Sequence, residues 1–169
     1  MQRRRLLKLG LGAAVLIGIA GVGVALIKPG LVDSKLSPGS RELMRAAALA
    51  VLGDVMPPAG PARNAALDAQ LIRLDQSIAT LPAATRKELS EALGLLGTAA
   101  GRFALVGLSS PWAQASTRDV QQALNAMRLS SSNTRQQVYH ALRDLNAIAF
   151  FAEPANWQAA GYPGQRPMP

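Results

Sequence analysis

Apolar positions along this chain fall into two regimes. From Leu9 to Ile27 the chain is a continuous apolar run without charge, preceded by Arg3, Arg4, Arg5 and Lys8. Further on, apolar residues recur at spacings of three and four, the period of one helix face. The stretch SRELMRAAALAVLGDVM places Leu43, Ala47, Ala50 and Val51 together, with Ser40 as the expected N-cap. PPAGP stops it, because proline cannot continue a helix and restrains the residue before it. A second helix is predicted over about 64–80, where Leu67, Leu71, Leu74, Ile78 and Leu81 follow an i, i+4, i+7 pattern.

Pro82 suits the first turn of a third helix, PAATRKELSEALGLLGTAAG, with Leu89, Leu93 and Leu96 inward. Gly94 and Gly97 either weaken this helix or let another backbone approach it. RFALVGLSSPWAQA reads as irregular. A fourth helix starts near Ser116 or Thr117, with Asp119 in its positive first turn and Val120, Leu124 and Met127 as its stripe. SSSN breaks it. The fifth covers about 134–152 with Val138, Leu142, Leu145, Ala149 and Ala152 inward. Pro154 then opens a short turn carrying Trp157, and GYPGQRPMP reads as an extended tail.

No stretch alternates in the period of a strand, so the expected class is all-α. The expected organisation is an N-terminal signal or anchor helix over 1–27, a turn-rich linker over 28–39, and a helical domain over 40–169. That domain is predicted as a small bundle of about five amphipathic helices. Several stripes are wide enough to suggest that a partner covers part of them.

Composition narrows the chemistry. The net charge of +8 belongs largely to the leader and its flank, since from Leu36 onward 12 basic residues face 9 acidic ones. The later basic residues are scattered, without interleaved stacking aromatics, which argues against a nucleic-acid partner. There is no cysteine, so disulfides, thiol catalysis and cysteine-ligated metals are excluded within this chain. The single histidine, His140, shares a helix face with Asp144. Such a pair is half of a base–orienter arrangement, but no nucleophile stands nearby, and a solvated surface pair is the favoured reading. Glu88 and Glu91 likewise read as solvated charge. No catalytic, cofactor-binding or metal-binding residue is expected, and an enzyme acting alone is disfavoured.

The leader itself carries a motif. RRRLLK resembles the bacterial twin-arginine export signal, with Arg3 and Arg4 as the pair and Leu6, Leu7 and Lys8 as the following positions. Gln2 departs from the usual Ser or Thr. The alternative is a basic cap on an uncleaved membrane anchor; both put the domain on the periplasmic side of the inner membrane.

Near the other end, FFAEPANWQAAGYPG holds four of the chain's seven aromatic residues. Together with Phe103, the run Arg118 to Met127, Arg135, and LAVLGDVMPPAG, this block resembles the gluconate 2-dehydrogenase subunit 3 family. The resemblance implies a small, non-catalytic, signal-bearing subunit. Its partners would be a large FAD-dependent dehydrogenase of the glucose-methanol-choline type, often a cytochrome c subunit, and the twin-arginine translocase. FAD and haem c would belong to those partners, with no cofactor in this chain. Phe150, Phe151, Trp157 and Tyr162 are then the candidate partner-binding residues, because Trp and Tyr dominate interface hot spots. Two rivals stand beside this reading: a stand-alone, membrane-anchored periplasmic binding or scaffold protein, and a small hydrolase using His140.

Overall fold

The computed structural model describes residues 27–161. The expectations for Arg3, Arg4, Leu6, Leu7, Lys8 and the apolar run as far as residue 26 lie outside the described residues, as do those for Tyr162 and the tail. The described chain is mostly helical. Two short strands, β1 (Leu31–Val32) and β2 (Lys35–Leu36), precede five long helices: α1 (Pro38–Leu52), α2 (Pro61–Ala79), α3 (Ala83–Gly97), α4 (Thr117–Arg128) and α5 (Asn133–Phe151). A short helix, α6 (Ala155–Ala159), follows α5.

The sequence boundaries need several corrections. The N-cap of α1 is Ser37 and not Ser40; Ser37 Oγ accepts from the Ser40 N–H, Pro38 follows with its ring preset for the first turn, and Ser40 is buried. Helix α2 begins at Pro61, earlier than its apolar period, for the same reason. Helix α3 starts at Ala83 with Pro82 as N-cap and stops at Gly97. The predicted third helix breaks at Thr98 into a separate turn, Ala99–Gly101, and the piece read as irregular opens with a π-helical turn, Arg102–Val106. That turn closes at Gly107, whose φ of 82° favours glycine. Ala152, expected inward, is exposed.

The segment expected as a linker is part of the fold. Strands β1 and β2 pair antiparallel, Leu31 opposite Leu36, through a two-residue turn in which Asp33 and Ser34 both take positive φ. Two-residue strands are too short to show alternation, so the sequence period cannot reveal them. Leu31 and Leu36 are buried and join the main core. The buried Asp75 on α2 holds the hairpin down: its Oδ1 accepts from the Leu36 N–H at 2.8 Å, while Oδ2 pairs with Arg41 of α1. One carboxylate thereby ties β2, α1 and α2 together.

Helix α1 is the centre of the bundle. It packs against α2, α3, α4 and α5, and from Leu43 to Leu52 no residue is fully exposed. Leu43, Met44, Ala47 and Ala48 are fully buried. Burial of each large apolar side chain contributes about 1.5–3 kcal/mol. The intervening alanines let neighbouring helices approach closely. The apolar face of α1 is covered by this chain's own helices.

The chain reaches this core along α3. The Gly30 N–H donates to the Ser90 carbonyl at 3.0 Å, and the Leu31 N–H to Ser90 Oγ at 3.0 Å. A Cβ on Gly94 would stand 2.6 Å from the Lys28 carbonyl oxygen, so of the two readings of Gly94, close backbone approach is the one the fold uses.

These contacts separate two glycine substitutions. A Cβ on Gly30 would stand 2.5 Å from Leu93 Cβ and 2.6 Å from the Ser90 oxygen, whereas one on Gly39, in the first turn of α1, meets nothing within 4 Å. Gly30→Ala should destabilise the domain by about 1–3 kcal/mol, as overpacking does. Gly39→Ala should be neutral or stabilise by up to about 1 kcal/mol. Urea unfolding midpoints of the two variants check this.

Candidate functional site

The C-terminal aromatic block is built on the last turn of α5. An α-helix leaves its final carbonyls without intrahelical donors. Here three successive ones are met by side chains. Arg73 Nε of α2 donates to the Ala149 carbonyl at 2.9 Å. Asn156 Nδ2 donates to the Phe150 carbonyl at 2.9 Å, and the Trp157 indole N–H to the Phe151 carbonyl at 2.9 Å. Pro154 starts the turn that brings Asn156 and Trp157 back over the end of α5, and Glu153 Oε1 accepts from the Ala155 N–H at 3.4 Å.

The predicted residues therefore have different surroundings. Phe150 is 3% exposed and belongs to the core. Phe151, edge-on to it with ring centroids 5.3 Å apart, is 47% exposed. Trp157 is half-buried, with its N–H committed to this chain. Tyr162 lies outside the described residues.

Sequence reasoning missed the polar residues beneath this turn. Gln70 and Asn146 are fully buried; Gln70 Nε2 donates to the Asn146 carbonyl at 2.8 Å, and Asn146 Nδ2 to the Leu142 carbonyl at 2.9 Å. Arg73 Nη2 also reaches Gln70 Oε1 at 3.3 Å. A signal was present: Asn146 sits on the inward face defined by Leu142 and Ala149, where a polar residue needs a partner.

An open cleft of about 430 Å³ lies alongside, between the turn after α1 (Asp54 to Pro57), Ala66 and Arg73 of α2, and Phe150, Asn156 and Ala159. Its charged groups, Arg73 and Asp54, sit on different elements. The arrangement suits recognition of an apolar side chain with an adjoining polar group.

The His140–Asp144 pairing does not form. Asp144 Oδ1 accepts from Arg143 Nε at 2.8 Å, which raises the Arg143 guanidinium above its ordinary range, and Arg143 also lies over the Tyr139 ring. His140 is exposed and stacks edge-on against Tyr139. Among the described residues, no group of three or more His, Asp or Glu side chains is placed to hold a metal ion.

The site makes a graded prediction for stability. Phe150→Ala should cost about 3–5 kcal/mol, the usual range for a buried Phe. Arg73→Met, which keeps the apolar stem but orphans the Ala149 carbonyl, should cost about 1–3 kcal/mol. Phe151→Ala should stay within about 0.5 kcal/mol. Thermal or denaturant unfolding of the three variants tests that order. No protein-family model, curated protein or solved structure matches this chain.

Proposed function

We propose that this chain is a non-catalytic small subunit that binds a flavin-dependent dehydrogenase of the glucose-methanol-choline type. In this reading it escorts the large subunit through twin-arginine export and supports its assembly at the periplasmic membrane face. FAD, and haem c where a cytochrome c subunit is present, reside in the partners.

The observation that carries the reading is the C-terminal block. Its sequence resembles that of such subunits, and its geometry suits a preformed docking element. Three side-chain caps fix the turn, so presenting the exposed Phe151 ring beside Trp157 costs little ordering entropy on binding. RRRLLK supports the export half, because a translocase that moves folded cargo suits a subunit carrying a cofactor-loaded partner.

Three experiments test the reading. With the chain present, dehydrogenase activity should appear in the periplasmic fraction; equal periplasmic activity without it overturns the escort role. Arg3→Lys with Arg4→Lys should retain both proteins in the cytoplasm. Phe151→Ala should weaken co-purification of the dehydrogenase by about 2 kcal/mol, roughly 30-fold in Kd, as truncation of an aromatic hot spot does. Undiminished co-purification would remove this turn from the interface.

A further inference from the structure

We infer that the C-terminal end of α3, with the π-turn that follows it, is the pole of the domain that lies against a lipid surface. The inference rests on the reading of Leu9 to Ile27 as a membrane segment and adds which face that segment holds to the bilayer.

The first observation is where the chain joins the fold. Residues 28–31 run backbone against backbone along α3, through the bonds of Gly30 and Leu31 to Ser90 and the approach of Lys28 to Gly94. Ile27 Cγ2 lies 3.1 Å from the point where a Cβ on Gly94 would stand. No flexible spacer separates Ile27 from the domain. An apolar membrane segment that ends at Ile27 therefore ends on α3 itself, one turn before its C-terminus.

The second is charge. From Ala92 to Thr117, Arg102 is the only charged residue. Arg102 is buried, and its guanidinium turns inward toward the Ser109 carbonyl at 3.4 Å. From Gly97 to Ala104 the exposed residues, Gly97, Ala99, Ala100, Phe103 and Ala104, are uncharged, and the exposed Lys28 stands at the junction, a cation placed where anionic headgroups lie. A lipid surface accepts such a patch without desolvating ions.

The third is Phe103, which is 67% exposed. It lies nine positions after Gly94, past the extended Thr98, so helical rise plus one extended residue puts the two within about 16 Å along the chain. The 85° bend between α3 and the following turn shortens that further. An aromatic ring beside the point where a membrane segment leaves the bilayer is placed as interfacial anchors are.

This pole is separate from the aromatic turn of α5. Arg135, near the start of α5, caps the π-turn through the Leu105 carbonyl at 3.0 Å. Phe151 lies 16 residues further along the same helix, about 24 Å away. Lipid contact and dehydrogenase contact therefore do not compete for one surface.

The absence of cysteine makes a direct test possible. Full-length F103C and F151C are each labelled with an environment-sensitive thiol fluorophore and reconstituted into phosphatidylethanolamine–phosphatidylglycerol vesicles. Part of the lipid carries a quencher at a shallow acyl position. Label at 103 should lose about half its emission, as expected for a group 5–10 Å into the interface, and label at 151 should be unaffected. An unquenched 103, equal quenching at both sites, or failure of the chain to sediment with the vesicles overturns the inference. A Gly-Ser spacer inserted between Pro29 and Gly30 should reduce quenching at 103; undiminished quenching overturns the part assigned to the α3 contact. Circular dichroism confirms that the variants fold. Dehydrogenase co-purification should survive F103C, so failure of the lipid contact and failure of the partner reading give different results.

Discussion

The fold depends on one constraint: the apolar face of α1 must be covered by the other long helices. Four helices pack against it, and its middle carries Leu43, Met44, Ala47 and Ala48 fully buried. The charged residues of α1, Arg41, Glu42 and Arg45, all precede Ala46, and the rest of the helix is apolar. The alanines keep the helix thin, so that α2, α3, α4 and α5 close on it. Asp75 ties one end together, since its two oxygens serve the β2 backbone and Arg41 of α1. A buried carboxylate with both oxygens engaged is stable where an unpaired one would not be.

Covering this face of α1 has a functional consequence. Among the exposed large apolar residues, the two aromatic rings, Phe103 and Phe151, lie away from the centre, at turns whose carbonyls are met by side chains. Arg73, Asn156 and Trp157 satisfy the last carbonyls of α5, which leaves Phe151 exposed on a turn that is already ordered. Arg135 does the same for the π-turn, which leaves Phe103 exposed. In both places a rigid cap sits beneath an exposed ring. Rigid presentation of an aromatic group lowers the ordering cost of contact, whether the surface met is protein or lipid.

Much of the helical framework was legible because its signal is local. The stripes Leu67–Leu71–Leu74–Ile78 and Val120–Leu124–Met127 are buried as their period predicts, and Ser116 caps α4 where expected. The same locality explains the misses. The hairpin at 31–36 is two residues per strand, below the length at which alternation can be read. Its place in the core depends on Asp75, 39 residues away from Leu36. The width of an apolar stripe cannot by itself say whose atoms cover it; for α1 they are those of the other helices of this chain.

The aromatic block shows the division most clearly. Sequence alone determined that large rings cluster near the C-terminus, that Pro154 turns the chain there, and that an uncharged apolar run precedes Lys28. Tertiary structure decided that Phe150 is core, that Trp157 is bonded to its own helix, and that Phe151 is the ring left exposed. It also decided that Lys28 to Leu31 lie on α3 and not in a free linker. The physical reason is range. Helical period and turn propensity are set by neighbours within a few residues. The donor that meets a carbonyl, and the backbone that fits against a glycine, are set by which distant segments the packing of α1 brings together.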